Sequence, residues 1–203
     1  MSHADERPDE IVTLLIELAD TDPLIWRRLE VPTSMTLKVL HDVVQAAMGW
    51  FDYHLWELSL GSRRFGLVVP GEDDGEPPLT EARRVRLRDL LDRHGKTVLG
   101  YTYDFGDGWE HRLTFTGVRL GEPGTDYPRY VAGERAAPPE DCGGVPGFYN
   151  GLDILADPQH PEHEDVAEWF GAYDPNHIDV ELIGFALSRI ARRRRSASIR
   201  RGA

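Results

Sequence analysis

Eight side chains that can coordinate metals or carry protons lie in or beside aromatic and glycine-rich stretches of the chain. They are His41, His54, Asp104, Asp107, His111, Glu140, Asp141 and Cys142. Converging carboxylates and imidazoles can hold a divalent cation, and a bound cation can activate water for hydrolysis. No pair among them has a dedicated ligand spacing such as H-E-x-x-H or C-x-x-C. The sequence therefore predicts a metal site only if the fold brings separate segments together.

Six of these residues form the candidate functional cluster. They are His54, Asp104, Asp107, His111, Glu140 and Asp141. The last five are the candidate ligands of a divalent metal ion, the one cofactor that this pattern suggests, and His54 is a further ligand or proton carrier. Cys142 is interpreted as an unreactive thiol, because no neighbour in the sequence lowers its pKa. The residue types indicate a site without assigning catalytic roles.

The same residues also have structural interpretations. Asp107 suits a tight turn, Asp104 suits the acceptance of backbone hydrogen bonds beside it, and His111 suits pairing with Asp104. The remaining two acids, Glu140 and Asp141, could cap the helix that follows or pair with one of the arginines Arg27, Arg28 and Arg112. Both interpretations remain open on the sequence alone.

A second predicted hairpin, residues 101–115, positions part of the cluster. Asp107-Gly108 is a strong turn signal between two aromatic and β-branched runs. If these two residues form the centre of the turn, Asp104 lies directly opposite His111. Directly opposed residues point to the same face, so the two side chains would touch.

Hydrophobic periodicity predicts the elements that position the cluster. The run 11–18 and the alternating segment 23–32 predict two strands of a first hairpin. Apolar residues at helical spacing over 37–48 predict a helix opened by a hydroxyl cap at Thr33-Ser34. Further strands are predicted over 53–60, 63–69, 97–103 and 126–133, and helices over 148–155, 162–170 and 179–195. The loop 138–147 is rich in Pro and Gly and is predicted to be irregular.

These elements predict an α+β fold. We expect a mostly antiparallel sheet with two hairpins, packed by a helix from the N-terminal half, and a helical C-terminal segment. Residues 1–9 are predicted to be a disordered N-terminus, residues 10–191 a single domain, and residues 192–203 a disordered basic tail. A chain of 203 residues with 40% hydrophobic residues is long and apolar enough for one substantial core.

The composition also bears on the compartment. Cys142 is the only cysteine, so a disulfide within the chain is excluded, and a reducing cytoplasmic location is predicted. The first ten residues are polar and lack the pattern of a signal peptide. No segment approaches the roughly 18 to 20 consecutive apolar residues that a bilayer span needs. Membrane insertion is therefore not expected.

The charge is distributed unevenly. The net charge is −12, but no acid follows Glu181, whereas seven of the 23 basic residues do. Residues 1–188 therefore carry 16 bases against 35 acids, about −19. Such a body should repel a nucleic-acid backbone. The C-terminal arginines, Arg192, Arg193, Arg194 and Arg195 among them, either contact nucleic acid weakly or stabilise the end of the last helix through its dipole.

The five tryptophans have two interpretations as well. They are Trp26, Trp50, Trp56, Trp109 and Trp169. Together they could form a platform on which bases stack, but tryptophans in alternating strands and at helix ends are more often core residues. The acidic surroundings favour core packing.

Four stretches resemble the plasmid pRiA4b ORF-3-like family and occur in that family's order. They are PLIWRR at 23–28, the segment from Leu40-His41 to His54-Leu55 that contains MGWFDYHL, YDFGDGWEH at 103–111, and PPEDCGG at 138–144. The resemblance spans about residues 11–187. Some members of this family are described as insertion-element passengers or TnpR-like resolvases. A resolvase role is not expected here, because the chain lacks an activated serine among arginines.

Two hypotheses about function follow. The resemblance implies an uncharacterised bacterial domain associated with mobile elements, acting as a binding or regulatory module through a protein partner. The residue chemistry supports, as the alternative, a divalent-metal-dependent hydrolase that uses Asp104, Asp107, His111, Glu140 and Asp141. The two differ in whether these side chains converge in one concave site.

Overall fold

The computed structural model describes residues 9–68 and 78–202, with side chains described as far as residue 196. Residues 1–8 of the predicted disordered N-terminus lie outside the described residues. Asp9 is described, and its backbone carbonyl accepts hydrogen bonds from Gly121 at 2.8 Å and its carboxylate from Ser34 at 2.9 Å. Over the described ranges, no helix has the length and apolar character that crossing a bilayer requires.

Eight strands of the described chain form one sheet in the order β5-β4-β3-β6-β7-β1-β2-β8. Neighbouring strands are antiparallel except for β4 and β5, which are parallel. The strands are β1 (Glu10–Leu18), β2 (Ile25–Pro32), β3 (Trp56–Leu60), β4 (Arg63–Gly66), β5 (Leu79–Glu81), β6 (Thr97–Tyr103), β7 (Trp109–Leu120) and β8 (Arg129–Glu134).

Four α-helices accompany the sheet in the described chain: α1 (Leu37–Met48), α2 (Gly144–Ala156), α3 (His163–Phe170) and α4 (Val180–Gly202). Helix α1 buries an apolar face in the core. Its N-cap is Thr36, whose hydroxyl accepts from the Val39 amide, and not the predicted pair Thr33-Ser34. Gly49 ends the helix with a φ of 80°, a left-handed conformation that glycine adopts without strain.

This architecture confirms the predicted α+β fold with its two hairpins, β1–β2 and β6–β7. The loop predicted over 138–147 is shorter than expected, because α2 begins at Gly144. Pro146 lies in the first turn of that helix, where the missing amide hydrogen is not needed. Helix α2 starts directly beside the hairpin β6–β7, because its N-cap residue Gly143 donates to Asp107 in the hairpin turn.

The tail that the sequence predicts to be disordered, residues 192–203, is helical over residues 192–202, because α4 continues to Gly202, and Ala203 lies outside the described residues. Arg194 is mostly buried and donates to Ser34 Oγ at 2.8 Å and to Asp9 Oδ2 at 3.3 Å. Arg195 pairs with Asp126. Tertiary contacts to the acidic body therefore order this part of the helix, and they engage two of the four arginines suggested for nucleic acid.

Most of the tryptophans have the predicted core role. Trp50, Trp56 and Trp109 are buried, and Trp26 is partly buried. Trp169 on α3 is the exception, with 59% of its surface exposed. A flat stacking platform is therefore not formed by the set.

Candidate functional site

The turn of the hairpin β6–β7 is longer than the sequence indicates. Tyr103 pairs with Trp109 and Tyr101 with His111, so residues 104–108 form a five-residue connection. Asp104 accordingly does not lie opposite His111, and the predicted contact between them is wrong. The reason is local: Asp104 has a left-handed φ of 54°, and its carbonyl accepts from the Gly108 amide at 2.6 Å. Asp tolerates this conformation better than most residues.

This turn leaves one oxygen of the Asp104 carboxylate unused by the backbone. The Oδ1 atom accepts from the amides of Gly106 at 2.9 Å and Asp107 at 3.3 Å. The Asp104 amide donates to the Leu55 carbonyl at 2.9 Å, which holds the segment before β3 against the turn. The Oδ2 atom points toward His54. The backbone therefore orients a largely buried carboxylate.

The glycine-rich segment before α2 docks on the same turn. Asp107 Oδ2 accepts from the Gly143 amide at 3.2 Å. Gly144 has a φ of 67°, and a Cβ atom at this position would lie 2.2 Å from the Asp107 carbonyl oxygen. Only a residue without a side chain fits this approach. Asp107 is thus a structural link between the two loops.

The two docked loops bring His54, Asp104 and Asp141 together. His54 Nε2 lies 2.9 Å from Asp141 Oδ1 and 3.6 Å from Asp104 Oδ2. One ligand atom from each residue lies within 4.8 Å of the others. Metal–ligand bonds of about 2.1 Å place neighbouring ligand atoms roughly 3 to 4 Å apart, and the two distances from His54 are close to this range.

The nitrogen of His54 has the environment of a metal ligand. The Nε2 atom is buried, and despite the short distance to Asp141 it makes no well-directed hydrogen bond within the described residues. A buried polar atom without a partner is costly, and a bound ion would satisfy it. Three protein ligands, one imidazole and two carboxylates, would leave coordination positions open for water or substrate.

Glu140 lies at the edge of this group. Its Oε1 atom accepts from the Tyr103 hydroxyl at 2.7 Å and from the Phe51 amide at 3.0 Å. Its Oε2 atom is buried and has no hydrogen-bond partner in the described chain. The Tyr103 ring contacts the His54 ring edge to face, with centroids 5.8 Å apart. Glu140 therefore joins the site through Tyr103 without belonging to the triad. Neither Glu140 nor Asp141 caps α2, because the N-cap of that helix is Gly143.

His111 does not reach the site. It is buried between Trp50 and Tyr101, with ring centroids at 5.3 and 5.2 Å. Its Nδ1 atom contacts the carbonyls of Tyr101 and Trp109 at 3.3 and 3.2 Å, so Nδ1 carries the proton. Burial lowers the pKa of His111 to about 4. This neutral core histidine is not a ligand of the site.

A second group of ligand-type residues, His41, Asp42 and Asp52, is already satisfied. His41 bonds Asp52 at 2.8 Å and Tyr101 at 2.9 Å, and Lys38 bonds both aspartates at 2.7 and 3.1 Å. Burial lowers the pKa of His41 to about 4, and the Lys38 charge adds to this effect. A cation at this place would compete with Lys38, so the group is a structural network.

Gln45 closes this network into a ring. Its amide nitrogen donates to the Tyr101 hydroxyl at 2.9 Å, and its amide oxygen accepts from the Asp52 amide at 2.9 Å. The Trp56 ring stacks on His41 with centroids 4.1 Å apart. The network holds the segment after α1 that leads to His54.

Two contributors to the site were missed from the sequence. The Tyr103 hydroxyl donates to Glu140 and accepts from the Tyr53 amide at 3.1 Å, so it links the two. Burial and the contact with Glu140 raise the pKa of Tyr103. Asp52 orients the segment before His54. The position of Tyr103 at the strand end, directly before Asp104, was the available signal for its role.

Cys142 has the unreactive character that was predicted. It is half-buried beside Asp141, and burial, followed by the nearby Asp107 carboxylate, raises the pKa of its thiol to about 12. The thiolate is the reactive form of cysteine. At neutral pH this residue therefore does not act as a nucleophile.

Exposed apolar side chains surround the site. Phe51, Tyr53 and Leu55 precede β3, and Phe105 lies in the hairpin turn; all four are more than half exposed. The rings of Phe51 and Tyr53 stack with centroids 5.6 Å apart. The backbone of this segment bonds to Tyr103 and Glu140, so its side chains face outward. We call these four residues the apolar rim.

The region that matches known proteins contains all eight strands of the described sheet. The family model described as plasmid pRiA4b ORF-3-like protein matches residues 10–182. The uncharacterized protein y4hQ of Sinorhizobium fredii (strain NBRC 101917 / NGR234) is 40% identical over 168 residues, which cover 81% of this chain and 82% of that protein.

A solved structure is also similar. The crystal structure of MM3350, a protein of unknown function from Methanosarcina mazei Go1, matches with a TM-score of 0.76 and 35% identity. The match covers 85% of this chain and 97% of that one. Because the family match ends at Leu182, the arginines of α4 lie beyond it.

Proposed function

Because this chain belongs to the plasmid pRiA4b ORF-3-like family, and the relatives named above are uncharacterised, we propose from the chemistry of its own residues that it is a divalent-metal-dependent hydrolase. The proposed metal ligands are His54, Asp104 and Asp141. The observation that carries the proposal is the buried Nε2 atom of His54, which makes no well-directed hydrogen bond to the described residues although two carboxylates lie 2.9 and 3.6 Å away.

The donor set determines which ions fit. One imidazole and two carboxylates suit a hard ion such as Mn²⁺ or a borderline ion such as Zn²⁺ better than a soft one. Two carboxylates balance the charge of the ion. Cys142 adds no thiolate, since the pKa of its thiol is raised to about 12.

The open positions on such an ion would hold water and the substrate. A bound divalent cation lowers the pKa of its water and polarises the bond that is attacked. Glu140 is linked to His54 through Tyr103, and its Oε2 atom has no hydrogen-bond partner among the described residues, so we assign it the role of proton acceptor. Tyr103 fixes the other oxygen of Glu140 at 2.7 Å and so orients the carboxylate.

Hydrolysis can be tested directly. Metal-free protein is assayed on a chromogenic ester, a phosphodiester and a peptide anilide, before and after addition of Mn²⁺ or Zn²⁺. We expect metal-dependent turnover of one substrate class, a strong loss in His54→Ala, and a lower kcat with unchanged metal affinity in Glu140→Gln. Equal turnover in EDTA would contradict the proposal.

The second candidate function is a binding or regulatory module associated with mobile elements. The apolar rim favours it, because exposed apolar side chains such as the stacked Phe51 and Tyr53 are typical of recognition surfaces. On this hypothesis the metal triad orders the loops without turnover. Stoichiometric metal binding with no hydrolysis of any substrate class would favour it.

A nucleic-acid role has less support. Arg194 and Arg195 pair with residues of the body, although Arg195 remains exposed. Arg192 and Arg193 are exposed as well. Equal retention of wild type and of Arg192→Ala/Arg193→Ala on heparin at low salt would remove this role.

A further inference from the structure

A groove of about 400 Å³ lies beside the proposed metal site. It is formed by α2, α3 and the loop that carries Asp141. Its apolar lining includes Ile154, Trp169 and Phe170, and its acidic lining consists of Asp141, Glu162 and Asp165. A volume of this size is within the range of about 300 to 1,000 Å³ that is common for small-ligand sites.

The charge of the groove has one sign. Its lining contains three carboxylates and no lysine, arginine or histidine. Glu162 and Asp165 are exposed, and neither has an ion-pair partner among the residues that the structure describes. The field in such a cleft attracts cations and repels anions.

The apolar wall defines the shape of the ligand. Trp169 is 59% exposed, whereas Trp50, Trp56 and Trp109 are buried. An exposed indole face binds a guanidinium or ammonium group, and it also covers the methylene stem of a long basic side chain. The ligand that matches both linings therefore has an apolar stem and a positively charged end.

Asp141 connects the groove to the proposed metal site. It lines the groove and lies 2.9 Å from His54. Glu162 and Asp165 also line the groove and lie at the start of α3. A ligand in the groove would thus contact the acids of α3 and the residue that borders the proposed metal.

We propose that this groove binds the arginine or lysine side chain of a peptide and is the specificity pocket of the proposed hydrolase. The role of the bound peptide as a substrate rests on the proposed function. The binding of the basic side chain does not, because Glu162, Asp165 and Trp169 lie outside the metal triad.

The test is calorimetric titration with an acetylated, amidated tripeptide whose central residue is arginine. Peptides with central norleucine or glutamate, and free spermidine, are the comparison ligands. We expect the arginine peptide to bind the wild type, with an affinity that falls as salt rises. The double variant Glu162→Gln/Asp165→Asn removes the two exposed carboxylates that pair with the arginine of the peptide, so it should weaken peptide binding about five- to tenfold.

The matched control is Glu164→Gln/Glu168→Gln, which removes the same charge from α3 at residues outside the groove lining. It should retain the wild-type affinity. Trp169→Ala should also weaken binding of the peptide. Equal effects of the two double variants, stronger binding of the glutamate or norleucine peptide, or binding of spermidine alone would overturn the inference.

The two proposals fail separately. His54→Ala should abolish metal binding and leave the affinity for the arginine peptide within about twofold of wild type, because Glu162, Asp165 and Trp169 bind the basic side chain and none of them belongs to the metal triad. The double variant Glu162→Gln/Asp165→Asn should keep the metal affinity. If the wild type binds metal but not the peptide, the proposed role of the groove is wrong and the proposed metal site is unaffected.

Discussion

His54 Nε2 lies 2.9 Å from Asp141 Oδ1, although the two residues come from loops far apart in the sequence. The contact depends on the docking of the glycine-rich segment before α2 on the hairpin turn. Changes in that docking should therefore affect the site even when no triad residue is altered.

Gly144→Ala tests the docking of the two loops. Gly144 has a φ of 67°, and a Cβ atom would lie 2.2 Å from the Asp107 carbonyl oxygen. We expect a loss of about 2 kcal/mol or more in the free energy of unfolding, measured with urea, and weaker metal binding. The control Gly184→Ala has open space around the new methyl group in α4 and should be neutral or stabilising by about 0.5–1 kcal/mol. Equal stability of the two variants would contradict this account of the docking.

Tyr103→Phe tests the link between Glu140 and the segment before β3. The hydroxyl contacts Glu140 Oε1 at 2.7 Å and the Tyr53 amide at 3.1 Å, and both would lose a partner. We expect a loss of about 1–2 kcal/mol in the free energy of unfolding and a lower turnover, since Glu140 loses its orientation. Tyr53→Phe is the matched control because that side chain is exposed; a comparable loss in the control would argue against the link.

The stability of the protein should fall in mild acid. Burial lowers the pKa of His111 from 6.5 to about 4, so the unfolded chain takes up this proton at a higher pH than the folded protein. The free energy of unfolding does not depend on this histidine above pH 6.5. It decreases as the pH falls from 6.5 toward 4, by about 3 kcal/mol at most for one such histidine. His41 acts in the same direction.

Urea unfolding at several pH values measures this effect. His111→Phe should give a shallower pH dependence between pH 6.5 and 4 than the wild type. The control His177→Phe alters an exposed histidine and should keep the wild-type slope. Identical slopes for all three proteins would show that His111 is not the group responsible.

Arg194→Ala tests whether α4 is fixed to the body beyond residue 191. The guanidinium donates to Ser34 and Asp9 and is mostly buried, with 19% of its side chain exposed. We expect a loss of about 1–2 kcal/mol in the free energy of unfolding. The neighbouring Arg193→Ala, at an exposed position, should change it by less than about 0.5 kcal/mol. No difference between the two would favour a tail that does not contribute to the fold.

Regular elements with strong periodicity were predictable from the sequence. The apolar run in β1 and the helical spacing in α1 match the structure closely, because one face of each is buried in the core. The end of α4 was not predictable, because its order depends on contacts of Arg194 with Ser34 and Asp9, which are remote in the sequence.

The residue types singled out in the sequence include His54, Asp104 and Asp141, which the fold brings together, but the sequence did not indicate the geometry of the site. Asp107-Gly108 is typical of a two-residue turn, yet the left-handed Asp104 extends the connection to five residues and shifts the pairing of His111 to Tyr101. That shift places His111 in the core and leaves Asp104 facing His54. A hairpin register depends on backbone conformations that residue types alone do not determine.

The most direct test of the central claim is equilibrium binding of Mn²⁺ and Zn²⁺ to the metal-free protein, with the bound ion counted by elemental analysis. We predict one bound ion per chain. The metal affinity should fall more than about a hundredfold in His54→Ala and Asp141→Asn, because the loss of a ligand has a larger effect than the loss of an outer-shell partner. The control His177→Ala, which changes an exposed residue, should bind as the wild type does. Circular dichroism and thermal unfolding confirm that the variants are folded. A wild type that binds no stoichiometric ion, or a folded His54→Ala variant that binds as tightly as the wild type, would contradict the central claim.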